Sequence, residues 1–133
     1  DRKNRNGGGV CIWLKNHIHY HHHIPQGLTP TEIESLFLVL PKLKVLIGLI
    51  YIPPQLPALT YTSIRQFILV NFDHLLMLWP SFKIILVGDF SQMSTTEIES
   101  HCCISPIITV PTRGQNILDQ IFINTNDEKF TTS

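Results

Sequence analysis

Ile84-Ile85-Leu86-Val87-Gly88-Asp89-Phe90 is the most informative stretch of the chain, an apolar run that stops on a glycine and a carboxylate. With Lys83 before it, the run has the length and side-chain character of a strand covered on both faces. A carboxylate directly after a buried strand is held at the rim of the sheet, where a rigid scaffold aims it at whatever the surrounding loops bind. Taken singly, a Gly-Asp pair is an ordinary turn. Two other segments give it company. Leu118-Asp119-Gln120-Ile121-Phe122 sets an acid inside an apolar strand, where an ionised carboxylate is costly unless paired or hydrogen-bonded. Leu49-Ile50-Tyr51-Ile52-Pro53-Pro54 ends a hydrophobic strand on a phenol, and the prolines stop it. That puts Tyr51 at a sheet edge, although a strand-end aromatic alone is unremarkable in function.

Working outward, Ile64, Phe67, Ile68, Phe72, Leu75 and Trp79 recur at three- and four-residue spacing and predict a helix that Pro80 closes. Asn71 falls on its buried stripe, while Leu69 and Leu76 fall off it. So broad an apolar surface predicts a helix covered on more than one side, or one whose partner elements are absent from this chain. Upstream, Ile33 to Leu40 and Val45 to Tyr51, joined by Pro41 to Lys44, predict neighbouring antiparallel strands. Gly7, Gly8 and Gly9 precede Val10 to Leu14, read as the first strand. Ser91 to Ser105 has no period and is expected to be a loop with room for one helical turn. Ile107 to Val110 and Ile117 to Ile123 are the last two expected strands, with Pro111 to Gly114 turning between them. Many strands with one strong helix is the pattern of an α/β or α+β layered domain.

Hydrophobic content of 44% against 15% charged residues predicts a buried core rather than a disordered chain. Ten basic and ten acidic residues cancel, so any contact with nucleic acid has to be local. Arg2, Lys3 and Arg5 read as a solvated terminus. The apolar runs are too short to span a bilayer and no signal segment opens the chain, so the expectation is an intracellular protein, nuclear or cytoplasmic, and not a secreted one. Cys11, Cys102 and Cys103 form neither an even disulfide framework nor a Cys-x-x-Cys pair, which fits a reducing compartment; the last two are expected to be loop or core residues. His17, His19, His21 and His23 alternate, so on a strand they would share a face and suit a transition metal. No Cys or carboxylate of suitable spacing accompanies them, and a solvated, functionally neutral loop is the expectation. The polar opening, Asp1 to Asn6, is expected to lie inside a longer open reading frame.

In order along the chain stand Gly7-Gly8-Gly9-Val10, Ile33-Glu34-Ser35-Leu36, Leu49-Ile50-Tyr51-Ile52-Pro53-Pro54, the helix, Ile85-Leu86-Val87-Gly88-Asp89-Phe90, Pro111-Thr112-Arg113-Gly114 and Ile117-Leu118-Asp119-Gln120-Ile121-Phe122. This order resembles the endonuclease/exonuclease/phosphatase superfamily over nearly the whole chain. The likeness is to the branch encoded by non-LTR retrotransposons, whose sequences carry Tyr-Arg-Pro-Pro, Gly-Asp-Phe-Asn and Pro-Thr-Arg followed by Leu-Asp. The resemblance implies an α/β fold of four layers, a sandwich present here in part, with mainly antiparallel and mixed sheet and one long helix. It implies a Mg²⁺-dependent phosphodiesterase that nicks DNA to expose a 3′ hydroxyl for reverse transcription, with a reverse transcriptase downstream in the same polypeptide.

Carried over by position, Asp89 matches the aspartate that orients or activates water, and Tyr51 the tyrosine that contacts phosphate. Asp119 matches the acid that orients a catalytic histidine, and Arg113 lies in the Pro-Thr-Arg turn as a structural residue or phosphate contact. Ser91 stands where the family has asparagine, and offers a single donor. Ile52 stands in place of arginine. The family's metal-binding glutamate and first asparagine precede its triple-glycine segment, and Ser-Asp-His follows Leu-Asp. None has a counterpart here, and Glu34 matches a non-catalytic position. Residues 1–133 are therefore expected to be an incomplete domain, lacking N-terminal and C-terminal catalytic segments and inert alone. The rival readings are a non-catalytic nucleic-acid-binding remnant and a gene-model fragment of a longer polyprotein.

Overall fold

Lys44 takes a left-handed backbone conformation (φ 59°) and its N–H donates to the Pro41 carbonyl at 3.3 Å, closing a tight turn. That turn folds Glu34–Leu40 back on Val45–Tyr51, so that Leu40 faces Val45 and Glu34 faces Tyr51. The computed structural model describes residues 12–107 and 119–124. Its elements are β1 (His21–His23), β2 (Glu34–Leu40), β3 (Val45–Tyr51), α1 (Ala58–Leu78), β4 (Lys83–Asp89), α2 (Thr96–Cys102), β5 (Ile104–Pro106) and β6 (Asp119–Asn124). They make a mixed α/β fold with one six-stranded sheet, ordered β1-β2-β3-β4-β6-β5. Among the described strands only β3 and β4 pair in parallel, which requires a crossover, and α1 supplies it.

Both helices pack on one face. Phe37, Val39, Leu46, Ile50, Ile84, Leu86 and Phe122 from the strands form a single core with Ile64, Ile68, Phe72 and Leu75 of α1 and Ile98 of α2. Gly48 lets Phe72 reach the sheet, since a Cβ there would stand 2.8 Å from the Phe72 ring. The opposite face carries Ile47, Leu49, Ile85 and Val87, all half-exposed. The expectation that Lys83 to Val87 is buried on both sides is thus corrected. Burial alternates strictly along β4, because the helices cover one side only.

The expected antiparallel pair and the strand leading to Asp89 are present. Other expectations shift. α1 begins at Ala58 rather than Ile64, because its first residues face solvent and so carry no apolar period. Pro57 opens it in extended conformation, and its carbonyl accepts from Thr60 N–H at 2.9 Å and Tyr61 N–H at 3.2 Å. Leu69 is buried as well as the main stripe, while Leu59, Val70, Met77 and Leu78 of the same helix are exposed. Within Ser91 to Ser105, α2 is seven residues long and β5 begins before the segment ends, so the loop expected there is largely structured. Ile107 is already past β5, and 108–110 lie outside the described residues.

The first-strand expectation also needs correction. Residues 12–14 are not in a strand, and Val10 lies outside the described residues. His21–His23 take the border of β2 instead, where a neutral loop was expected, and the residues from Ile12 to Leu14 lie across Leu36 and Leu38 on the open face. No helix among the described residues is long and apolar enough to cross a membrane.

Candidate active site at the strand ends

Register decides what the strand ends bring together. Tyr51 is the last residue of β3 and Asp89 the last of β4; the parallel pairing puts them side by side. β6 runs antiparallel to β4 and starts at Asp119, directly opposite Asp89. On the other side Glu34, the first residue of β2, faces Tyr51. Residues paired across strands share a face. Glu34, Tyr51 and Asp89 therefore form a row on the open side of the sheet, and Asp119 pairs in register with Asp89 on the next strand.

The carboxylate of Asp89 is half-buried and held locally. Its Oδ1 accepts from the Ser91 N–H at 3.0 Å, an Asx-type turn that the left-handed backbone of Ser91 (φ 49°) allows. The Ser91 hydroxyl donates to the Ile52 carbonyl at 2.6 Å, while its oxygen lies 3.4 Å from the same Oδ1. A hydroxyl has one proton, and the shorter contact takes it. Ile52 N–H donates in turn to the Asp89 carbonyl at 2.9 Å. Ser91 thus latches the loop after β3 to the loop after β4, and its donor is spent on backbone. Among the described residues no hydrogen bond reaches Oδ2 of Asp89, which leaves that oxygen able to accept a proton.

Gly88 makes this closeness possible. A Cβ at Gly88 would fall on the backbone carbonyl of Ile50, so any side chain there would push the two central strands apart. Phe90, buried against Phe122 at 5.5 Å between ring centroids, anchors the chain as it leaves β4. The aspartate sits between a glycine that must be small and a phenylalanine that must be inside. No family model and no curated protein matches the chain.

Of the residues singled out from sequence, Tyr51, Asp89 and Ser91 stand together and Asp119 is in register with them. Arg113 lies outside the described residues. Glu34 matches a non-catalytic position of the resemblance, and pairing with Tyr51 brings it to the end of the row; counting back from the turn at Pro41 to Lys44 is enough to find it. Among the described residues no group of three or more His, Cys, Asp or Glu is arranged to hold a metal ion. Mg²⁺ needs several oxygen ligands in near-octahedral array.

His23 holds the fold together. His23 Nε2 lies 3.1 Å from Asn71 Oδ1, which also accepts the Gln26 N–H at 2.7 Å, and Asn71 Nδ2 donates to the Phe67 carbonyl at 2.8 Å. Asn71, the polar residue on the buried stripe, is a clasp that ties the segment after β1 to α1. Burial holds the His23 imidazole below its ordinary pKa, against the raising effect of the Asn71 bond, and His74 and His22 add to the lowering. Cys102 ends α2 inside the core. Its thiol is pushed up to about 12 by burial and then by Asp73 and Cys103, which keeps it unreactive.

Proposed function

We propose that this chain is part of a retrotransposon-type endonuclease domain of the endonuclease/exonuclease/phosphatase class, descended from a DNA-nicking phosphodiesterase and inert in isolation. The observation that carries the reading is the row: a phenol and two aspartates at paired positions on the ends of three adjacent strands, as the sequence motifs imply. In the intact site Asp89 Oδ2 takes the proton of the attacking water, Tyr51 donates a hydrogen bond to a phosphate oxygen, and Asp119 orients a histidine. Mg²⁺ would supply charge stabilisation at the phosphate, with the glutamate that the family uses as ligand expected upstream of this chain. The open apolar face of β3 and β4 is the surface on which the second sheet of a four-layered sandwich would pack.

Ser91 changes one part of the proposed chemistry. Where the family's asparagine has two amide donors, Ser91 commits its single donor to Ile52 and has none left for phosphate. Two measurements test the reading. A supercoiled-plasmid assay with Mg²⁺ is expected to show no nicking by the 133-residue chain; robust nicking that Asp89→Ala abolishes would overturn its inertness. The flanking nucleotide sequence is expected to encode, intact or decayed, a glutamate-bearing strand upstream and Ser-Asp-His downstream. Unrelated sequence on both sides would remove the family assignment.

A further inference from the structure

β1 is three residues long and borders the seven residues of β2, so pairing with Phe37, Leu38 and Val39 gives it little hold of its own. Side chains hold it instead. His21 stacks on Trp79, with ring centroids 6.3 Å apart and planes at 19°. His23 lies edge-on to Phe37 at 5.9 Å between centroids, with Nε2 3.1 Å from Asn71 Oδ1. The same oxygen accepts the Gln26 N–H, so the strand and the segment after it share one amide of α1. That oxygen can only accept, so Nε2 bears the hydrogen of the neutral His23 ring and Nδ1 is the nitrogen that acid charges.

Around that ring the neighbours are imidazoles rather than carboxylates. His74 of α1 lies 5.5 Å away between ring centroids, and its Nδ1 is buried with no hydrogen-bond partner among the described residues. His22 precedes His23 on β1. The one acid of α1, Asp73, turns to His101 of α2 at 2.8 Å, and Arg65 lies 3.7 Å from Glu97. The one acid of β2, Glu34, precedes the part that pairs with β1, and Glu32 is exposed to solvent. We propose that His23 and His74 make the β1 border a pH-sensitive clasp, closed over the edge of β2 at neutral pH and released from α1 in mild acid while the central strands stay folded. A proton on His23 puts a cation in a partly buried site, and a proton on His74 sets two like charges on neighbouring rings. The bond to Asn71 favours the charged ring, but burial outweighs it. Released β1 therefore binds the proton more readily than docked β1. The clasp is complete above about pH 6.5 and weakens as the pH falls through the lower docked value. His21 is not the trigger, since a charged ring over an indole stays attracted to it. Release uncovers the seven-residue border of β2.

The clasp is separate from the strand-end row and stands whether or not that row ever cut a phosphodiester. Amide hydrogen exchange of the whole chain from neutral to mildly acid pH, corrected for the intrinsic pH dependence of exchange, tests it. Protection between His21 and Gln26 is expected to fall several-fold in acid, while Leu46, Ile50, Ile84 and Leu86 keep theirs. His23→Gln, which keeps a donor for Asn71 and cannot charge, is expected to abolish the fall, and His74→Gln to shrink it. The proposal is overturned if the stretch keeps its protection in acid, if the central strands lose theirs in parallel, or if either variant shows the full effect. A second readout needs no substitution. Ring-proton NMR of the parent is expected to show His23 titrating over the pH range in which the stretch loses protection, and titration outside that range overturns the proposal as well.

Discussion

Asn71 shows how much one side chain can carry. It is fully buried, yet its amide satisfies the Gln26 N–H, the Phe67 carbonyl and a ring nitrogen of His23. Asn71→Leu keeps the volume and strands the Gln26 N–H, so it is expected to cost about 2 kcal/mol in urea denaturation and to speed amide exchange at Gln26. His23 adds a pH dependence whose sign is fixed. Its folded pKa lies below the unfolded value of about 6.5, so the unfolded chain binds the proton more readily. Stability is complete above about pH 6.5 and falls as the pH drops from there through the lower folded value. Urea midpoints measured from neutral to mildly acid pH should decline, and His23→Gln, which retains a donor for Asn71, should flatten part of that decline. An equal decline in the variant would assign the effect to other groups.

Elements with a strict period were legible in the sequence, and those held by tertiary contacts were not. β2, β3 and β4 announced themselves because apolar runs between turn residues have few alternatives. α1 was legible only from Ile64, where burial begins. β1 was missed, since His21–His23 has neither alternation of polarity nor β-branched residues; its place comes from pairing with Phe37, Leu38 and Val39 and from the Asn71 clasp. α2 hides in a polar stretch whose only buried residues are Ile98 and Cys102. At the centre, Gly88 is the glycine on which the parallel pair depends. Gly88→Ala is expected to destabilise by about 3 kcal/mol or more, because the methyl meets backbone rather than a side chain that could move. Thermal or urea unfolding measures this, and a loss below about 0.5 kcal/mol would mean that β3 and β4 do not approach as described.

For the molecule as a whole, the strand ends were more legible than the layers. Tyr51, Asp89 and Asp119 could be singled out because polar groups at the ends of apolar strands have a cost that needs an explanation, and register then joins them. One-sided coverage of the sheet could not be read, because a half-exposed Val87 and a fully covered one are the same letter. An apolar face on a protein of zero formal net charge favours self-association. Sedimentation at rising concentration is expected to show it, and Val87→Lys, which puts a charge in the middle of that face, is expected to reduce it at little cost in stability. The borders give such association its shape. β1 and β5, the outermost strands described, are three residues each, and β5 ends on a proline. Filaments lengthen by adding ribbons at a border, and an outer strand of three residues is a short template for that. Two plates laid back to back would exhaust the sticky surface, so clumping of this protein should be finite and soluble rather than fibrous.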